Sequence, residues 1–466
     1  MKNMSLIEVT EACNGVYVGV DSLKNSTVTG VTIDSRKVEK DYLFIPIKGA
    51  RVDGHDYISH VIESGALCTL SEKNLGAVTH PYILVDSCEQ ALKDIAEHYR
   101  ISLGIPVVGI TGSVGKTSTK EMIASVLSQK FNVLKTAGNF NNEIGVPLTI
   151  FNLREEHDVA VLEMGINHFG EMTRLSKIAR PTIAVITNIG QCHLEFLNDR
   201  DGVLKAKTEI FEYLQPNGSV ILNGDDDKLA TIYSVDENVP HFFGLNPVTD
   251  FPSIYADNII NLGLEGTTCS IHLTDERIFS CTIAIPGAHM VLNALAGASV
   301  GMELGLSDDE IKNGIEALVP VAGRNNLIKT DMLTIIDDCY NANPVSMKAS
   351  LDVLSTATTR KVAILGDMGE LGINEIAMHE DVGRHAVLSG IDVICCIGSL
   401  SQHIADSASA SISTLNSNTL VMHYDTIDEF LSTITDVISI GDSVLVKASH
   451  FMGFPEIVAA LRNINI

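Results

Sequence analysis

A short run of glycines near the first quarter of the chain could bind a phosphate group. It contains Gly112 and Gly115, and Lys116 and Thr117 follow at once. Glycines let successive backbone N–H groups turn toward one point, and a helix that begins there adds partial positive charge. The lysine would supply a full charge to the β- and γ-phosphates, and the threonine hydroxyl could bind magnesium. The spacing departs from the usual G-x-x-x-x-G-K-[ST] pattern, because Ile110 stands where the first glycine is expected.

The surrounding sequence supplies the strand and the helix that such a loop needs. The apolar run 106–110 predicts a buried strand, and 117–130 predicts a helix. A tight strand-to-helix turn with an exposed lysine is the alternative interpretation, but a full Gly-x-x-Gly-Lys-Thr in this setting favours phosphate. We therefore predict nucleotide binding by the loop residues Gly112, Ser113, Gly115, Lys116, Thr117 and Ser118.

Two more side chains follow predicted strands and could hold a metal ion. Glu163 ends the apolar run 159–162, where a carboxylate would lie at the carboxyl edge of a parallel sheet. His193 follows a second apolar run, 183–186, after a short loop. The alternatives are a solvated acid at a strand end and a hydrogen-bonded or surface histidine.

Length and periodicity predict an α/β protein of three domains. The chain has 466 residues, 45% of them hydrophobic, which is enough for several cores. Apolar runs alternate with helical stretches, and this predicts largely parallel sheets covered on both faces. We place the boundaries at 1–103, 104–320 and 321–466. The central domain is expected to be a parallel-sheet phosphate-loop ATPase domain, and the carboxy-terminal domain is expected to be Rossmann-like.

Charge and composition exclude several functional classes. A formal net charge of −26 disfavours nucleic acid and anionic membranes as partners, because both are held by basic surfaces. Glu8 and Glu11 interrupt the first residues where a signal peptide needs an apolar core, and no later apolar run could insert into a membrane. A cytoplasmic location is expected. The nine cysteines include no C-x-x-C pair or zinc spacing, so we expect reduced, mostly buried thiols.

Nine sequence segments resemble the Mur ligase family. One of these segments is the phosphate loop itself, Thr111–Thr117. The others are Asp34–Arg36, Gly138–Thr149, Leu162–Gly165, Thr187–Gly190 with His193–Glu195, Lys207–Phe211, Asn223–Asp226, Asp338–Pro344 and Leu365–Gly372. These matches run in order over nearly the whole chain.

The resemblance implies an ATP-dependent ligase that forms an amide bond through an acyl phosphate. It implies that D-alanyl-D-alanine is added to a UDP-N-acetylmuramoyl tripeptide, in peptidoglycan precursor synthesis. The first domain would bind the UDP-sugar, the central domain ATP, and the third the incoming dipeptide and part of ATP. ATP as co-substrate, two Mg²⁺ ions and a monomeric state are implied as well.

Individual site residues are carried over by their positions in the matching segments. The implied catalytic residues are Lys116, Glu163, His193 and Lys207, and the implied metal ligands are Thr117, Glu163, His193 and Lys207. Beyond the loop, the implied ATP contacts are Asn293, Arg324, Asp338, Tyr340, Asn341 and Asn343. The implied substrate contacts are Ser35, Arg36, Asn139, Asn142, Lys447 and Ser449. The chain departs from the family where Met290 replaces an asparagine and His450 replaces an arginine.

Ordinary structural roles remain open for several of these residues. Asn343 precedes a proline and could belong to a simple Asn-Pro turn, Arg324 could be a surface arginine, and Ser35-Arg36 could form a common turn.

The match at Lys207 also implies carbamylation of its side chain. An ammonium beside Mg²⁺ would be repelled and has no lone pair to donate. Carbon dioxide added to the neutral amine gives an anion with oxygen ligands, which suits a hard metal. The alternative is an unmodified lysine on a helix surface, since Lys205 lies two positions before it.

Three other assignments share parts of this pattern. A related ligase that adds a diamino acid is associated with an Asp-Asn-Pro-Arg motif, which this sequence lacks. Folylpolyglutamate synthases share the ATP core but not an amino-terminal module resembling 48–55. A nucleotide-hydrolysing switch protein is the rival from another class. The sequence leaves open whether the third residue of the tripeptide is lysine or diaminopimelate.

Overall fold

The chain folds into two compact units. The computed structural model describes residues 4–76, 80–248, 250–274 and 276–464. Unit 1 comprises the described parts of Met1–Thr111, Lys130–Val185 and Ala206–Val220. Unit 2 comprises the described parts of Gly112–Gln129, Ile186–Lys205 and Ile221–Ile466. Helices and strands alternate along most of the chain, so the expected α/β class is confirmed.

In the described residues before the phosphate loop's strand there are seven β-strands and three α-helices, together with short one-turn helices. The strands are β1 (Met4–Ser5), β2 (Val16–Val18), β3 (Thr27–Val28), β4 (Gly30–Thr32), β5 (Tyr42–Phe44), β6 (Cys68–Ser71) and β7 (Tyr82–Leu84). The helices are α1 (Leu6–Ala12), α2 (Ile58–Glu63) and α3 (Cys88–Leu103). The last helix begins at the N-cap Ser87 and ends where Gly104 adopts a left-handed conformation.

The middle of the chain alternates strands and helices and then forms a run of strands. Its strands are β8 (Val107–Thr111), β9 (Val133–Lys135), β10 (Val159–Glu163), β11 (Ile183–Ile186), β12 (Ser219–Asn223), β13 (His241–Gly244), β14 (Ser253–Asn261), β15 (Thr267–His272) and β16 (Ile278–Ile283). Its helices are α4 (Lys116–Leu127), α5 (Gly145–Ile150), α6 (Glu171–Ala179), α7 (Leu194–Leu197), α8 (Arg200–Thr208), α9 (His289–Glu303) and α10 (Asp308–Glu316).

The last part of the chain again alternates strand and helix. Its strands are β17 (Asn326–Lys329), β18 (Thr334–Asp337), β19 (Lys361–Gly366), β20 (Val393–Ile397), β21 (Leu420–Tyr424) and β22 (Ser443–Lys447). Its helices are α11 (Pro344–Ser355), α12 (Glu375–Leu388), α13 (Ser401–Leu415), α14 (Ile427–Val437) and α15 (Pro455–Arg462).

Unit 1 contains parallel strand pairs both before and after α3 in the sequence. Strands β4, β5, β6 and β7 pair in parallel in that order, and β2 pairs antiparallel with β7. Later in the chain, β10 pairs in parallel with both β8 and β9. The carboxyl ends of β8 and β10 therefore meet at one edge, where Thr111 and Glu163 end their strands.

Unit 2 contains one mixed and one mostly parallel set of strands. Strands β12, β13 and β14 pair in parallel, whereas β14, β15 and β16 pair antiparallel. The carboxy-terminal sheet has the order β17-β18-β22-β19-β20-β21, and within it only the β17–β18 pairing is antiparallel. The antiparallel extension over β14–β16 was not predicted from the sequence.

The carboxy-terminal sheet is covered on both faces. Neighbouring residues of its buried strands point to opposite cores, so Ile335 and Cys395 pack into one core and Ile336 and Cys396 into the other. A strand buried on both sides has no polar alternation, which explains the continuous apolar runs in the sequence.

Helix α4, which follows the phosphate loop, packs tightly within unit 2. It packs against α9 and α10. A Cβ atom at Gly314 would lie 2.3 Å from Val126 Cα, so only a glycine allows α10 this close to α4. The Ser125 hydroxyl donates to the Gly314 carbonyl at 2.6 Å. The helix that begins at the loop is therefore held firmly in place.

The cysteines are mostly buried, as the sequence predicted. All nine cysteines are free thiols, and all except Cys192 are buried. Within the described ranges, no helix has both the length and the apolar character needed to cross a bilayer.

Candidate active site

The phosphate loop lies between β8 and α4, as the sequence predicted. Gly112 has φ +152° and Gly115 has φ +81°, which are backbone conformations that favour glycine. Gly115 is the N-cap of α4, so Lys116 and Thr117 occupy the first turn of that helix. Ser118 follows in the same turn and is half-buried. This geometry aims the positive end of a helix dipole at the space in front of the loop.

Gly112 is required for a second reason. An added Cβ atom would lie 1.9 Å from the Thr187 hydroxyl oxygen, which follows β11. The phosphate loop and the segment after β11 therefore lie so close together that position 112 has no room for a side chain.

The Lys116 side chain folds back over the loop. Its Nζ atom donates to the Gly112 carbonyl at 2.8 Å and lies 3.4 Å from the Ser113 carbonyl. The ammonium thus lies beside the loop, where it can neutralise a phosphate group.

Ser113 is held by residues on the segment after β11. Its hydroxyl oxygen accepts the Gly190 N–H at 2.8 Å, and the Cys192 thiol donates to the same oxygen at 3.1 Å. The serine is buried. Its side chain therefore shapes the loop from behind.

Arg324 connects the loop to Tyr340. One guanidinium nitrogen lies 3.4 Å from the Thr117 hydroxyl oxygen, and the guanidinium carbon lies 4.0 Å above the tyrosine ring. The His450 ring lies on the same tyrosine, with the two ring centres 5.4 Å apart. Arg324 is therefore not an isolated surface arginine, and the structure brings three predicted ATP residues together.

Asp338 is the centre of a buried polar cluster. Its carboxylate accepts hydrogen bonds from Lys447 and the Ser350 hydroxyl, and it also accepts the Asn325 N–H at 3.0 Å. Lys447 is 2% exposed and also donates to the Asn341 carbonyl at 3.2 Å. The predicted substrate residue Lys447 thus lies against two predicted ATP residues.

Two other predicted residues, Asn343 and Ser449, hold backbone groups within the fold. The Asn343 side chain caps α11 by accepting the Ser346 N–H at 2.9 Å, with Pro344 at the first helical position. The buried Ser449 hydroxyl accepts the Gly369 N–H at 2.9 Å.

Asn293 is also engaged within the fold. Its side-chain oxygen accepts the Thr119 hydroxyl at 2.9 Å, and its amide nitrogen lies 3.2 Å from the sulfur of Met290. The methionine that replaces a family asparagine thus contacts the neighbouring predicted adenine residue.

Glu163 ends β10 as a buried carboxylate. It is 2% exposed, and its Oε1 atom accepts a hydrogen bond from Asn141 at 2.9 Å. Asn141 was not singled out from the sequence, although it lies in the matched segment Gly138–Thr149. The predicted substrate residues Asn139 and Asn142 flank it and are exposed. Thus the segment both orients Glu163 and presents amides to solvent.

An ion-pair cluster holds this asparagine segment. Glu143 accepts hydrogen bonds from Lys93 and from Arg174. Burial raises the pKa of Glu143, but these two cations outweigh burial and hold its pKa below the usual value. The carboxylate therefore stays ionised and ties α3 and α6 to the segment.

Lys207 is buried, whereas Lys205 on the same helix is exposed. Lys207 is 1% exposed. The alternative of a lysine on the helix surface is therefore wrong for position 207.

His193 contacts a residue that the sequence reasoning missed. Its Nδ1 atom lies 3.1 Å from Glu370 Oε2. Both residues have left-handed backbones, with φ 52° at His193 and 60° at Glu370, which is uncommon outside glycine. Strained residues of this kind cluster at functional sites.

A cavity marks the predicted UDP-sugar region of unit 1. It has a volume of about 360 Å³ and is lined by Val31, Thr32, Arg36, Lys37, Val38, Glu39 and Tyr42. Arg36 donates twice to Asp34, and these hydrogen bonds lower the pKa of Asp34 to about 2. Ser35 begins the one-turn helix Ser35–Lys37, which is the turn weighed as an alternative, and this helix also places Arg36 in the wall of the cavity.

The donor atoms of the predicted metal residues suit magnesium. In the described ranges, no three His, Cys, Asp or Glu side chains form a ligand cluster. Mg²⁺ does not need one, because it keeps several waters and binds one or two carboxylates together with substrate phosphates. Glu163 is a buried carboxylate and Thr117 offers a hydroxyl, so the donor chemistry fits.

A phosphate loop with an arginine that connects it to an aromatic ring is the arrangement expected of a nucleotide-binding site. Models of the Mur ligase family match the chain in three places: the family's catalytic domain at 27–100, its middle domain at 110–301 and its glutamate ligase domain at 323–450. The chain belongs to the Mur ligase family and is a ligase.

Curated relatives and solved structures match over nearly the full length. The chain is 37% identical over 443 residues to the UDP-N-acetylmuramoyl-tripeptide–D-alanyl-D-alanine ligase of Bacillus subtilis, covering 94% of each chain. It is 35% identical to the Escherichia coli ligase of the same name, covering 99% of each. A crystal structure of MurF from Acinetobacter baumannii matches with a TM-score of 0.90 and 30% identity over 100% of both chains. MurF from Thermotoga maritima in complex with ADP matches with a TM-score of 0.81 and 28% identity, over 93% of this chain and 97% of that one.

Proposed function

We propose that this ligase uses ATP to add D-alanyl-D-alanine to a UDP-N-acetylmuramoyl tripeptide, in peptidoglycan precursor synthesis. The structural observation that carries the proposal is the bridge from Thr117 through Arg324 to Tyr340, because it links a phosphate-binding end to an aromatic end. The relatives named for this reaction support the choice of substrates.

Each predicted domain has one part in the proposal. Residues 1–103 bind the UDP-sugar, 104–320 bind ATP and carry out the ligation, and 321–466 bind the dipeptide and part of ATP. The cavity walled by Arg36 supports the first assignment. Ser35 and Arg36 contact the nucleotide-sugar, Asn139 and Asn142 the substrate near Glu163, and Lys447 and Ser449 the dipeptide side.

The reaction has two steps. The terminal carboxylate of the tripeptide attacks the γ-phosphorus, the bond to the β,γ-bridging oxygen breaks, and ADP leaves. The amine of D-alanyl-D-alanine then attacks the acyl carbon, inorganic phosphate leaves with the bonding electrons, and the nitrogen loses a proton to give the amide. ATP supplies the activation that an anionic carboxylate lacks.

The chain's own cations stabilise the phosphates in both steps. Lys116 lies beside the loop and reaches the β- and γ-phosphates, and Arg324 can hold phosphate oxygens with its planar fork. Tyr340, Asn341, Asn343, Asp338 and Asn293 form the adenosine side of the proposal. Asn343 and Asn293 would act there through the segments that they hold, since their side chains cap α11 and contact α4.

Two magnesium ions are part of the proposal. Thr117, Glu163, His193 and a carbamylated Lys207 would hold them, with Asn141 fixing one oxygen of Glu163. Bound there, magnesium would neutralise the charge that develops on the transferred phosphoryl group.

The burial of Lys207 supports its carbamylation. A buried ammonium is costly, whereas addition of CO₂ to the neutral amine releases a proton and leaves an anion that cations can stabilise. Incubation with ¹³C-bicarbonate should give a carbamate carbon signal that Lys207→Ala loses and Lys205→Ala keeps. The same spectrum in wild type and Lys207→Ala would overturn this assignment.

Phosphate release tests the reaction as a whole. The ligase should release phosphate from ATP only with both the UDP-muramoyl tripeptide and D-alanyl-D-alanine present, and should yield the pentapeptide product. Equal release without either substrate would favour the switch protein. A panel with lysine or diaminopimelate as third residue identifies the tripeptide. We also propose that the enzyme acts as a cytoplasmic monomer.

A further inference from the structure

Val114, in the phosphate loop, has both its backbone N–H and its backbone carbonyl hydrogen-bonded to the side chain of one asparagine. The Asn188 side-chain oxygen accepts the Val114 N–H at 2.9 Å, and its amide nitrogen donates to the Val114 carbonyl at 2.9 Å. The Thr187 hydroxyl donates to the same carbonyl at 2.8 Å. Three side-chain hydrogen bonds therefore converge on one residue of the loop.

The neighbouring residue is held from the same segment. The Ser113 N–H donates to the Asn188 carbonyl at 3.0 Å, and the Ser113 hydroxyl accepts the Gly190 N–H at 2.8 Å. We call residues 187–190 the clasp, because they bind both central residues of the loop.

The clasp is itself anchored in unit 2. Asn223, at the end of β12, donates its amide to the Thr187 carbonyl at 2.9 Å. The Ile189 N–H donates to Asp226 at 2.8 Å, and Arg200 donates to the Ile189 carbonyl at 2.8 Å. Because the Thr187 carbonyl and both backbone polar groups of Ile189 are hydrogen-bonded, the clasp has a fixed position and can hold the loop in one shape.

The hydrogen bond from the Val114 N–H to Asn188 reduces the number of N–H groups that the loop can offer to a phosphate. A backbone N–H carries one hydrogen, and that of Val114 already points at Asn188. A phosphate group must therefore be held by other donors, chiefly the N–H groups of the first turn of α4, which have no acceptor within a helix.

We propose that Asn188 and Thr187 are positioning residues that fix the phosphate loop in its binding shape before the nucleotide arrives. In this proposal, the Val114 N–H is not a phosphate ligand. A loop fixed in advance loses less conformational freedom on binding, so the clasp raises affinity for phosphates without touching them. The inference rests on the proposed ATP-binding function of this loop.

A purely structural role would make a different prediction. Hydrogen bonds that only stabilise the fold would affect every ligand of the protein alike, or none. A clasp that shapes the loop affects only ligands with phosphates that reach it. Comparing adenosine, AMP, ADP and ATP therefore separates the two roles.

The first experiment measures dissociation constants for these four ligands by calorimetry. Asn188→Ala should weaken ATP and ADP binding by about tenfold or more, since each of the two lost side-chain hydrogen bonds accounts for roughly a factor of five, and leave adenosine binding unchanged. Thr187→Val should show a smaller loss of the same kind, and Thr187→Ser should restore it. Asn463→Ala is the matched control, because that exposed amide donates only to the helix carbonyl of Ala459.

Two results would overturn the proposal: ATP affinity in Asn188→Ala equal to that of the unaltered protein, or an equal loss for all four ligands. If the unaltered protein bound no ATP, the proposed function would fail, and the role of the clasp with it. Failure of the clasp and failure of the proposed function are distinguishable, because only failure of the proposed function means that the unaltered protein binds no nucleotide.

A second experiment uses the unaltered protein and does not depend on how the variants fold. Amide hydrogen exchange followed by NMR should find the Val114 N–H protected without nucleotide and little changed when ADP is added. The amides of the first turn of α4 should gain protection with ADP. Fast exchange at Val114 in the free protein, or protection there that appears only with ADP, would contradict the clasp.

Discussion

The guanidinium carbon of Arg324 lies 4.0 Å above the ring of Tyr340, and one of its nitrogens lies 3.4 Å from the Thr117 hydroxyl oxygen. A stacked guanidinium keeps its edge available for phosphate oxygens while its face covers the tyrosine. Arg324 thus contacts residues at both predicted ends of the ATP site. We therefore expect ATP affinity to depend on the shape of this side chain as well as on its charge.

Arg324→Lys should weaken ATP binding although it keeps the positive charge. A lysine lacks the planar fork and the stacking face, so we expect the KM for ATP to rise about tenfold. Steady-state kinetics with both other substrates saturating would measure this. Tyr340→Phe keeps the stack and should change the KM less than threefold or so, and a full wild-type KM in Arg324→Lys would contradict the coupling.

Lys116→Ala should abolish ligation and leave the fold intact. Two of the lysine's hydrogen bonds are to carbonyls of its own loop, and the side chain is only half-buried, so we expect its loss to remove phosphate neutralisation rather than core packing. We expect activity to fall by roughly a hundredfold or more, with a melting temperature within about 2 °C of wild type. The exposed Lys205→Ala should retain activity, and near-normal turnover in Lys116→Ala would exclude the loop as the ATP site.

Glu143→Ala should destabilise unit 1 more than an ordinary surface change. It leaves Lys93, which is 7% exposed, and Arg174 without their common carboxylate. Because the mostly buried Lys93 would keep only the exposed Glu89 as a carboxylate partner, we expect the free energy of unfolding to fall by about 2–4 kcal/mol in urea titrations. Glu89→Ala removes the exposed partner of Lys93 and should cost less than about 1 kcal/mol, so equal losses would be inconsistent with this explanation.

His379 should make stability depend on pH. It is 0% exposed, and its Nε2 atom accepts the Met368 N–H at 3.0 Å, which requires the neutral ring. Burial lowers its pKa, so the unfolded chain binds a proton more readily than the folded one. Stability from the neutral ring is complete above the unfolded pKa of about 6.5 and declines as pH falls below it.

Thermal melts between about pH 7.5 and pH 5 would measure this decline. His379→Gln should flatten it, whereas the exposed His80→Gln should not. An unchanged pH profile in His379→Gln would show that another group causes the decline.

Features encoded by nearby residues were predictable from the sequence. The buried strand before Gly112 and the helix after Gly115 follow from local apolar periodicity and from glycine, and both are confirmed. The contrast between Lys205 and Lys207 is also local, since residues two apart lie on opposite sides of a helix.

Features that depend on contacts between distant segments could not be derived in this way. Thr187 and Asn188 were visible as part of a matched motif, but only the fold shows that they bind Val114, more than 70 positions earlier in the chain. Asn343 shows the reverse case, because an asparagine before a proline is a local signal, and the structure makes Asn343 the N-cap of α11 instead of part of a simple turn. Strand β15 alternates buried and half-buried residues, β16 has exposed positions, and neither contains a long apolar run, so the apolar pattern did not separate them from loops.

The contact between Gly112 and Thr187 restricts which mutations this protein can accept. A side chain at 112 would collide with the Thr187 hydroxyl, and shortening the threonine would not rescue it, because φ +152° is itself unfavourable for any residue with a Cβ atom. The two obstacles are independent, so no single compensating substitution opens a neutral evolutionary path away from glycine. Drift in this part of the loop is therefore confined to Ser113 and Val114, whose hydrogen bonds to the clasp use the backbone or a small hydroxyl.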